Sequence, residues 1–246
     1  MRSARAVFLD LDATIVDYDD ESWLDTVQDV CDALARSTGD LDAELLARTY
    51  TEVCLSHWRA AEGTVVVSPS GSLSGFAIWR DHWQSALAAN GHHDDHLAEL
   101  AVERYTQARA ARYRLFDDVV DCLAALRDRV DAVAVITNGP GDTQRHKVAV
   151  TGLDRRIDTI VISGEVGVAK PDPAVFELAA RRLGLPPAAA WHVGDSLDND
   201  IAGARAAGLG AAVWLNRTGA SPTHRGVSTA EPDHVITSLR DLVSLI

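Results

Sequence analysis

Apolar residues along this chain follow two rhythms. Short unbroken apolar runs at 6–9, 132–136, 159–162, 191–193 and 211–215 have the pattern of strands buried on both faces, as in a parallel sheet. Between the later runs the apolar residues return every three or four positions. Phe116, Val119, Val120, Leu123 and Leu126 form one such helical stripe, and Val175, Phe176, Ala179 and Leu183 form another. Asp172 followed by Pro173 supplies an N-cap and first-turn pair, while Gly184 and Gly208 stand where helices should stop. Strands alternating with helices predict an α/β fold with a doubly wound parallel sheet.

The alternation is uneven. The later strands recur every 20 to 30 or so residues, as βαβ units do, but roughly 125 residues separate the first strand from the second. Most of that gap has helical patterning, at 21–37, 41–60, 74–90 and 94–112. The segment 63–75, rich in Ser, Gly and Val, reads as a loop. We therefore expect two domains: a main one from 1–16 and 113–246, and a smaller helical insertion from 17–112 beside the carboxyl end of the first strand.

Composition narrows the function. The chain has 246 residues, 47% of them hydrophobic, enough for a sizeable core and an insertion. A net charge of −13 argues against a nucleic-acid-binding surface, so an anionic substrate would have to be met by a metal or by a few local cations. The three cysteines, Cys31, Cys54 and Cys122, are widely spaced and form no CxxC, which suits reduced thiols in a cytoplasmic setting. No apolar run approaches the ~20 residues of a membrane span, and Asp10 and Asp12 interrupt the first apolar stretch where a signal peptide would be continuous. The expectation is a cytoplasmic monomer or homodimer that acts on a small molecule, with no nucleic-acid or membrane partner.

Chemistry-bearing residues follow the apolar runs. Asp10 and Asp12 leave the first together; at a spacing of two they share one face of an extended chain and repel unless a cation, a proton or a turn separates them. Thr137-Asn138-Gly139 follows the second run, Lys170-Pro171 lies beyond the third, and Gly194-Asp195 follows the fourth, with Asp198 and Asp200 just after. Singly, each has an ordinary structural reading: Asp195 as a cap, Thr137-Asn138-Gly139 as a turn, Lys170 as a solvated lysine, Asp198 and Asp200 as an acidic helix start. A parallel sheet, however, brings all four sites to one edge. There Asp10 and Asp195, with backbone and water oxygens, make a hard site suited to Mg²⁺. Lys170 and Thr137, helped by backbone amides from Leu11 to Asp12 and at Asn138 and Gly139, can hold phosphoryl oxygens, which points to phosphoryl transfer.

The string Asp10-Leu11-Asp12-Ala13-Thr14, then Thr137-Asn138-Gly139, Lys170-Pro171 and Gly194-Asp195-Ser196-Leu197-Asp198-Asn199-Asp200, resembles the four ordered motifs of the haloacid-dehalogenase (HAD) superfamily. The resemblance implies a Rossmann-like core with a helical cap inserted after the first motif. By position it makes Asp10 the nucleophile of a phosphoaspartyl mechanism and Asp12 the acid and then the base. It assigns Mg²⁺ to Asp10, the Asp12 carbonyl and Asp195, and gives Asp200 a supporting role. Where the superfamily usually has Gly after the second Asp, this chain has Ala13, which should alter the turn slightly without loss of function.

Trp79-Arg80-Asp81-His82-Trp83, the run Thr143-Gln144-Arg145-His146-Lys147, the 164–170 loop and Val213-Trp214-Leu215-Asn216 are similar to N-acylneuraminate-9-phosphatases and related pyrimidine 5′-nucleotidases. That resemblance implies a small phosphomonoesterase and leaves the substrate open among sugar, sugar-acid and nucleoside phosphates. Tyr18, Trp58, Trp79, Arg80, His82 and Trp83 are the candidates for contact with the leaving group, Arg80 as the cation for a second acidic group. The tryptophans have core packing as their alternative. His92, His93 and His96 could form a metal cluster but lack carboxylate or Cys support, and read better as a solvated helix start. A phosphomutase and a 2-haloacid dehalogenase are the enzymatic alternatives, the latter disfavoured because dehalogenases of this superfamily lack the Asp12 equivalent. A binding protein without turnover would show an eroded motif, and none is eroded.

Overall fold

The computed structural model describes residues 4–17, 20–61, 64–219 and 230–246. The chain opens with β1 (Ala6–Leu9) and the two-residue β2 (Val16–Asp17), then runs through α1 (Asp20–Thr38), α2 (Ala43–Ala60), α3 (Gly75–Ala89) and α4 (Asp95–Arg112). A short β3 (Arg114–Leu115) pairs antiparallel with β2 where the chain leaves and re-enters the sheet region. Then come α5 (Val119–Arg127), β4 (Ala132–Thr137), α6 (Gly141–Val150), β5 (Thr159–Ile162), α7 (Ser163–Val166) and α8 (Pro173–Arg182). The chain finishes with β6 (Ala190–Gly194), α9 (Ala202–Ala206), β7 (Ala211–Leu215), β8 (His234–Ile236) and α10 (Leu239–Leu245). Six strands make one parallel sheet in the order β5-β4-β1-β6-β7-β8, an α/β Rossmann-like fold.

The unbroken apolar runs follow from burial on both faces. Along β1 and β4, Val7, Leu9, Val133 and Val135 turn to one side, where they pack with α5 and α10 residues such as Leu123 and Leu242. Ala6, Phe8, Ala134 and Ile136 turn to the other, against Val175, Phe176 and Ala179 of α8. Phe8 is fully buried, and its removal from water stabilises the fold by about 2 kcal/mol. The α5 stripe differs from its sequence reading. The helix begins at Val119, so Val119, Cys122, Leu123 and Leu126 face inward, while Val120, a 100° step away, is exposed.

The four helices α1 to α4 enclose a separate core that includes Leu34, Leu46, Tyr50, Ile78, Trp83 and Tyr105, with Tyr50 stacked on Trp83 at 3.9 Å. The starts of α2, α3 and α4 are capped locally: Asp42 accepts from Leu45 N, Ser74 from Ala77 N and Asp94 from His96 N. The bundle touches the sheet body where α3 meets α6. Ser74 Oγ donates to Asp142 Oδ2 at 2.5 Å and Gly75 N donates to Asp142 Oδ1 at 2.8 Å. A side chain at Gly75 would lie 2.4 Å from Thr143 Cγ2, so the approach requires glycine. The three cysteines are buried and free. Among the described residues, no helix is long and apolar enough to cross a membrane.

Candidate active site

Three adjacent strands end side by side. In parallel register Leu9 lies between Val135 and Val193, so the residues following β4, β1 and β6 emerge together on the carboxyl edge of the sheet. This is also where the winding changes direction, since β4 and β5 lie on one side of β1 and β6 to β8 on the other. The Asp10 backbone N–H donates to Val193 O at 2.9 Å, which fixes the first acidic residue to the neighbouring strand.

One ligand oxygen each from Asp10, Asp195 and Asp200 lies within 4.8 Å of the others. Lys170 Nζ, buried like the carboxylates it meets, contacts Asp10 Oδ1 and donates to Asp200 Oδ1 at 2.6 Å. Burial pushes the Asp10 carboxyl up to about 8 against the pull of Lys170, with Asp200 and Asp195 adding to the rise. Burial would likewise lower Lys170, but contact with Asp10 and Asp200 holds it above the usual lysine range. Asp200 moves the other way: burial opposes its ionisation, yet Lys170 and His192 keep it well below an ordinary carboxylate.

Both oxygens of Asp200 are engaged, Oδ1 by Lys170 and by His192 Nε2 at 2.9 Å, Oδ2 by the Ser196 N–H at 3.0 Å. Asp200 therefore organises its neighbours and leaves Asp10 and Asp195 as the better cation ligands. Gly194 is required beneath it, because a Cβ there would lie 2.2 Å from the Asp200 carboxyl carbon. Three carboxyl groups gathered around one ammonium offer an excess of hard oxygen donors, an environment that fits Mg²⁺.

Asp12 faces a different set of partners. Lys147 Nζ contacts its Oδ1, and Gln144 Nε2 donates to its Oδ2 at 2.9 Å. The same Gln144 nitrogen reaches Thr137 Oγ1 at 2.7 Å and Asn138 O at 3.0 Å, so one amide joins two of the strand ends. Burial alone would raise Asp12, but Lys147 and Gln144 hold it below the usual carboxylate range. Asn138 clasps the lysine loop: its Nδ2 donates to Lys170 O at 2.9 Å, and Lys170 N donates to its Oδ1 at 2.8 Å. The Gly139 N–H donates to Ser163 Oγ at 2.9 Å, so this amide holds the loop rather than facing a phosphate. Leu11 is wholly buried, and its carbonyl accepts from Ile15 N and Val16 N.

A cavity of about 360 Å³ opens between bundle and sheet body with Asp12, Asn138 and Gly139 on its lower lip and α3 and α4 above. Trp58 and Trp79 line it. Arg80 does not: it is exposed, because Gly75, Ile78 and Trp79 form the α3 face toward the cavity and Arg80 falls outside that face. The cation that α4 supplies to the cavity is Arg109. His82 and Trp83 lie inside the bundle, His82 bonded to His57 at 2.6 Å. Tyr18 lies outside the described residues. His93 and His96 are exposed and His92 is half-buried around the start of α4; among the described residues the only grouping suited to a metal is Asp10, Asp195 and Asp200. Sequence reading also passed over Gln144, Lys147, Arg109 and His192 as site residues. A signal existed for the first two: α6 buries Thr143, Gln144 and Lys147, a polar face at helical spacing just after a strand end.

The sequence matches the profile described as haloacid dehalogenase-like hydrolase from residue 4 to residue 208. The chain belongs to this family. Among relatives of this HAD protein, phosphoserine phosphatase of Thermus thermophilus is 38% identical over 160 residues, 65% of this chain and 61% of the relative. The N-acylneuraminate-9-phosphatase of Mus musculus is 34% identical over 167 residues, 67% of this chain and 66% of the relative. The match thus spans less than two thirds of the length of either. Among solved structures, a 2-haloacid dehalogenase from Pseudomonas syringae superposes with a TM-score of 0.70 at 25% identity, covering 98% of this chain and 97% of its own.

Proposed function

We propose that this HAD-family protein is a Mg²⁺-dependent phosphomonoester hydrolase for a small phosphorylated metabolite, a sugar, sugar-acid or nucleoside monophosphate. In this reading residues 1–16 and 113–246 form the catalytic core and 17–112 the cap that closes over the leaving group. One observation carries it: Asp10 meets Lys170 and Asp195 at the sheet edge, while Asp12, two residues on, faces the cavity. That separation gives the two carboxylates distinct work.

Asp10, Asp195 and the Asp12 carbonyl would hold Mg²⁺, which when bound neutralises phosphate charge and lets an anionic nucleophile approach. A carboxylate oxygen of Asp10 attacks phosphorus, and the bond from phosphorus to the ester oxygen breaks. Asp12, in its protonated form, delivers the proton to the departing alcohol. A water then attacks the phosphoaspartyl phosphorus, gives its proton to the Asp12 carboxylate and releases phosphate with Asp10 restored. The Lys147 and Gln144 contacts favour the ionised Asp12 that this second half needs. Lys170 holds Asp10 and compensates charge on the phosphoryl group, a contribution worth about 3 kcal/mol in comparable sites. Thr137, at the end of β4, would supply a hydroxyl to the phosphoryl group.

The names of the two phosphatase relatives support hydrolysis of a phosphate ester. The structural likeness to a haloacid dehalogenase favours a second reading, in which Asp10 displaces a halide. That chemistry leaves Asp12 and Asp195 without work. The test is p-nitrophenyl phosphate hydrolysis with Mg²⁺, with EDTA, and by the Asp10→Asn variant. We expect turnover that EDTA silences and Mg²⁺ restores, and none from Asp10→Asn. A rate indifferent to EDTA, with halide release from 2-chloropropionate, would support the dehalogenase instead.

A further inference from the structure

Gln144 is buried, and both polar atoms of its side chain are engaged at the strand ends. It shares a face of α6 with Lys147, three residues on, so the two side chains reach one carboxyl group from neighbouring turns. Lys147 Nζ contacts Asp12 Oδ1 and donates to Gln144 Oε1 at 3.0 Å. An ammonium can only donate, so this contact identifies the oxygen end of the Gln144 amide and turns its nitrogen to the other side. There Nε2 meets Asp12 Oδ2 at 2.9 Å, Thr137 Oγ1 at 2.7 Å and Asn138 O at 3.0 Å. The stem packs against Gly139, where a Cβ would lie 3.2 Å from Gln144 Cγ. Asp12 is thus held at both oxygens, Oδ1 by Lys147 and Oδ2 by Gln144, although its side chain is 44% exposed and lines the cavity. A carboxyl group gripped at one oxygen can turn about its last bond; gripped at both, it keeps its plane.

We propose that Gln144 is a positioning residue for proton transfer, its amide fixing the plane of the Asp12 carboxyl group against the ends of β1 and β4. The inference rests on the phosphatase reading, in which Asp12 protonates the leaving group. As the bond from Asp10 to phosphorus forms and the ester bond breaks, the Asp12 proton passes to the ester oxygen. That transfer needs the carboxyl oxygen within about 3 Å of the ester oxygen and in line with it. Lys147 alone supplies a compact charge on a flexible stem. The planar amide, anchored at Thr137 and Asn138, supplies direction. The role is exerted through Asp12.

The test is a leaving-group series on the full chain with Mg²⁺: kcat/KM for p-nitrophenyl, p-chlorophenyl and phenyl phosphate. These esters differ little in shape, but the departing phenoxide grows more basic along the series and needs the proton more. Because kcat/KM covers only the steps through loss of the phenol, the later hydrolysis common to all three does not mask the effect. We expect the wild type to treat the esters alike within about threefold, and Gln144→Leu to favour p-nitrophenyl over phenyl phosphate by about tenfold or more. Gln144→Glu, alike in shape but with an oxygen in place of the donor nitrogen, should show the same dependence. Thermal melts check the fold, and if Gln144→Leu does not fold, the Glu variant carries the test. Equal losses on all three esters in the variants, or a Gln144→Glu series matching the wild type, would overturn the assignment and leave Gln144 a packing role. A steep dependence in the wild type itself would also overturn it, since no aligned proton would be there to lose. Absence of p-nitrophenyl phosphate hydrolysis by the wild type would instead remove the phosphatase reading beneath it.

Discussion

Ala13 holds a left-handed backbone conformation, φ 58°, and is the only described non-glycine residue with positive φ. The turn is tight: Ala13 N donates to Val16 O at 3.0 Å, and Leu11 O receives both Ile15 N and Val16 N. An L-residue in this region costs about 1–2 kcal/mol, and glycine would remove that cost while adding about 0.4–1 kcal/mol of unfolded-state entropy to lose. Ala13→Gly should therefore gain about 0.5–1 kcal/mol and raise the thermal midpoint by about 2 °C. A midpoint that falls would mean that the methyl group contributes packing that outweighs the strain. The turn keeps its left-handed form with alanine in place.

At the scale of elements, the hydrogen bonds described between α3 and α6 converge on a single carboxylate. Asp142 takes Ser74 Oγ and Gly75 N at the first turn of α3, where negative charge also favours the helix dipole. Hydrogen bonds to a charged acceptor are worth about 1.5–3 kcal/mol, so Asp142→Ala should shift the balance toward an open bundle by about tenfold or more. Hydrogen exchange at the Gly75–Ile78 amides should quicken, and KM for the best substrate should rise. Unchanged exchange would show that apolar contacts hold the two bodies together unaided. The helices themselves were readable from sequence to within a few residues, because Asp42, Ser74 and Asp94 cap them locally. The pairing of β2 with β3 was not, since two-residue strands carry no period.

For the whole molecule, Asp118 ties three distant segments. Its carboxylate accepts two bonds from Arg217 at 2.9 Å, one from Ser238 Oγ at 2.7 Å and one from Leu239 N at 2.8 Å. Arg217 in turn donates to Thr14 O, just past the acidic pair. Burial works against the Asp118 charge, but these donors draw its pKa down to about 2 from an ordinary 3.8. A lowered folded-state pKa adds stability above pH 4, here about 2 kcal/mol, that is lost as pH falls through 2. Asp118→Asn should destabilise the fold by about 3 kcal/mol at neutral pH and flatten the decline of stability between pH 4 and pH 2. Denaturant melts across that range measure both effects; parallel curves for the two proteins would exclude Asp118 as the titrating group.

The sequence by itself determined the alternation of strands and helices, the long helical insertion, and the four strand-end sites. Each is written in local patterning, and a parallel sheet has to bring its strand ends to one edge. The meeting of Asp10, Lys170 and Asp195 was legible for that reason. Only the tertiary structure decided that Arg109 rather than Arg80 faces the cavity, that Gln144 and Lys147 hold Asp12, and that Gly139 turns its amide to Ser163. Those choices depend on the rotational phase of each helix and on how two separately packed bodies dock; local spacing marks a polar face on α6 but not what that face meets.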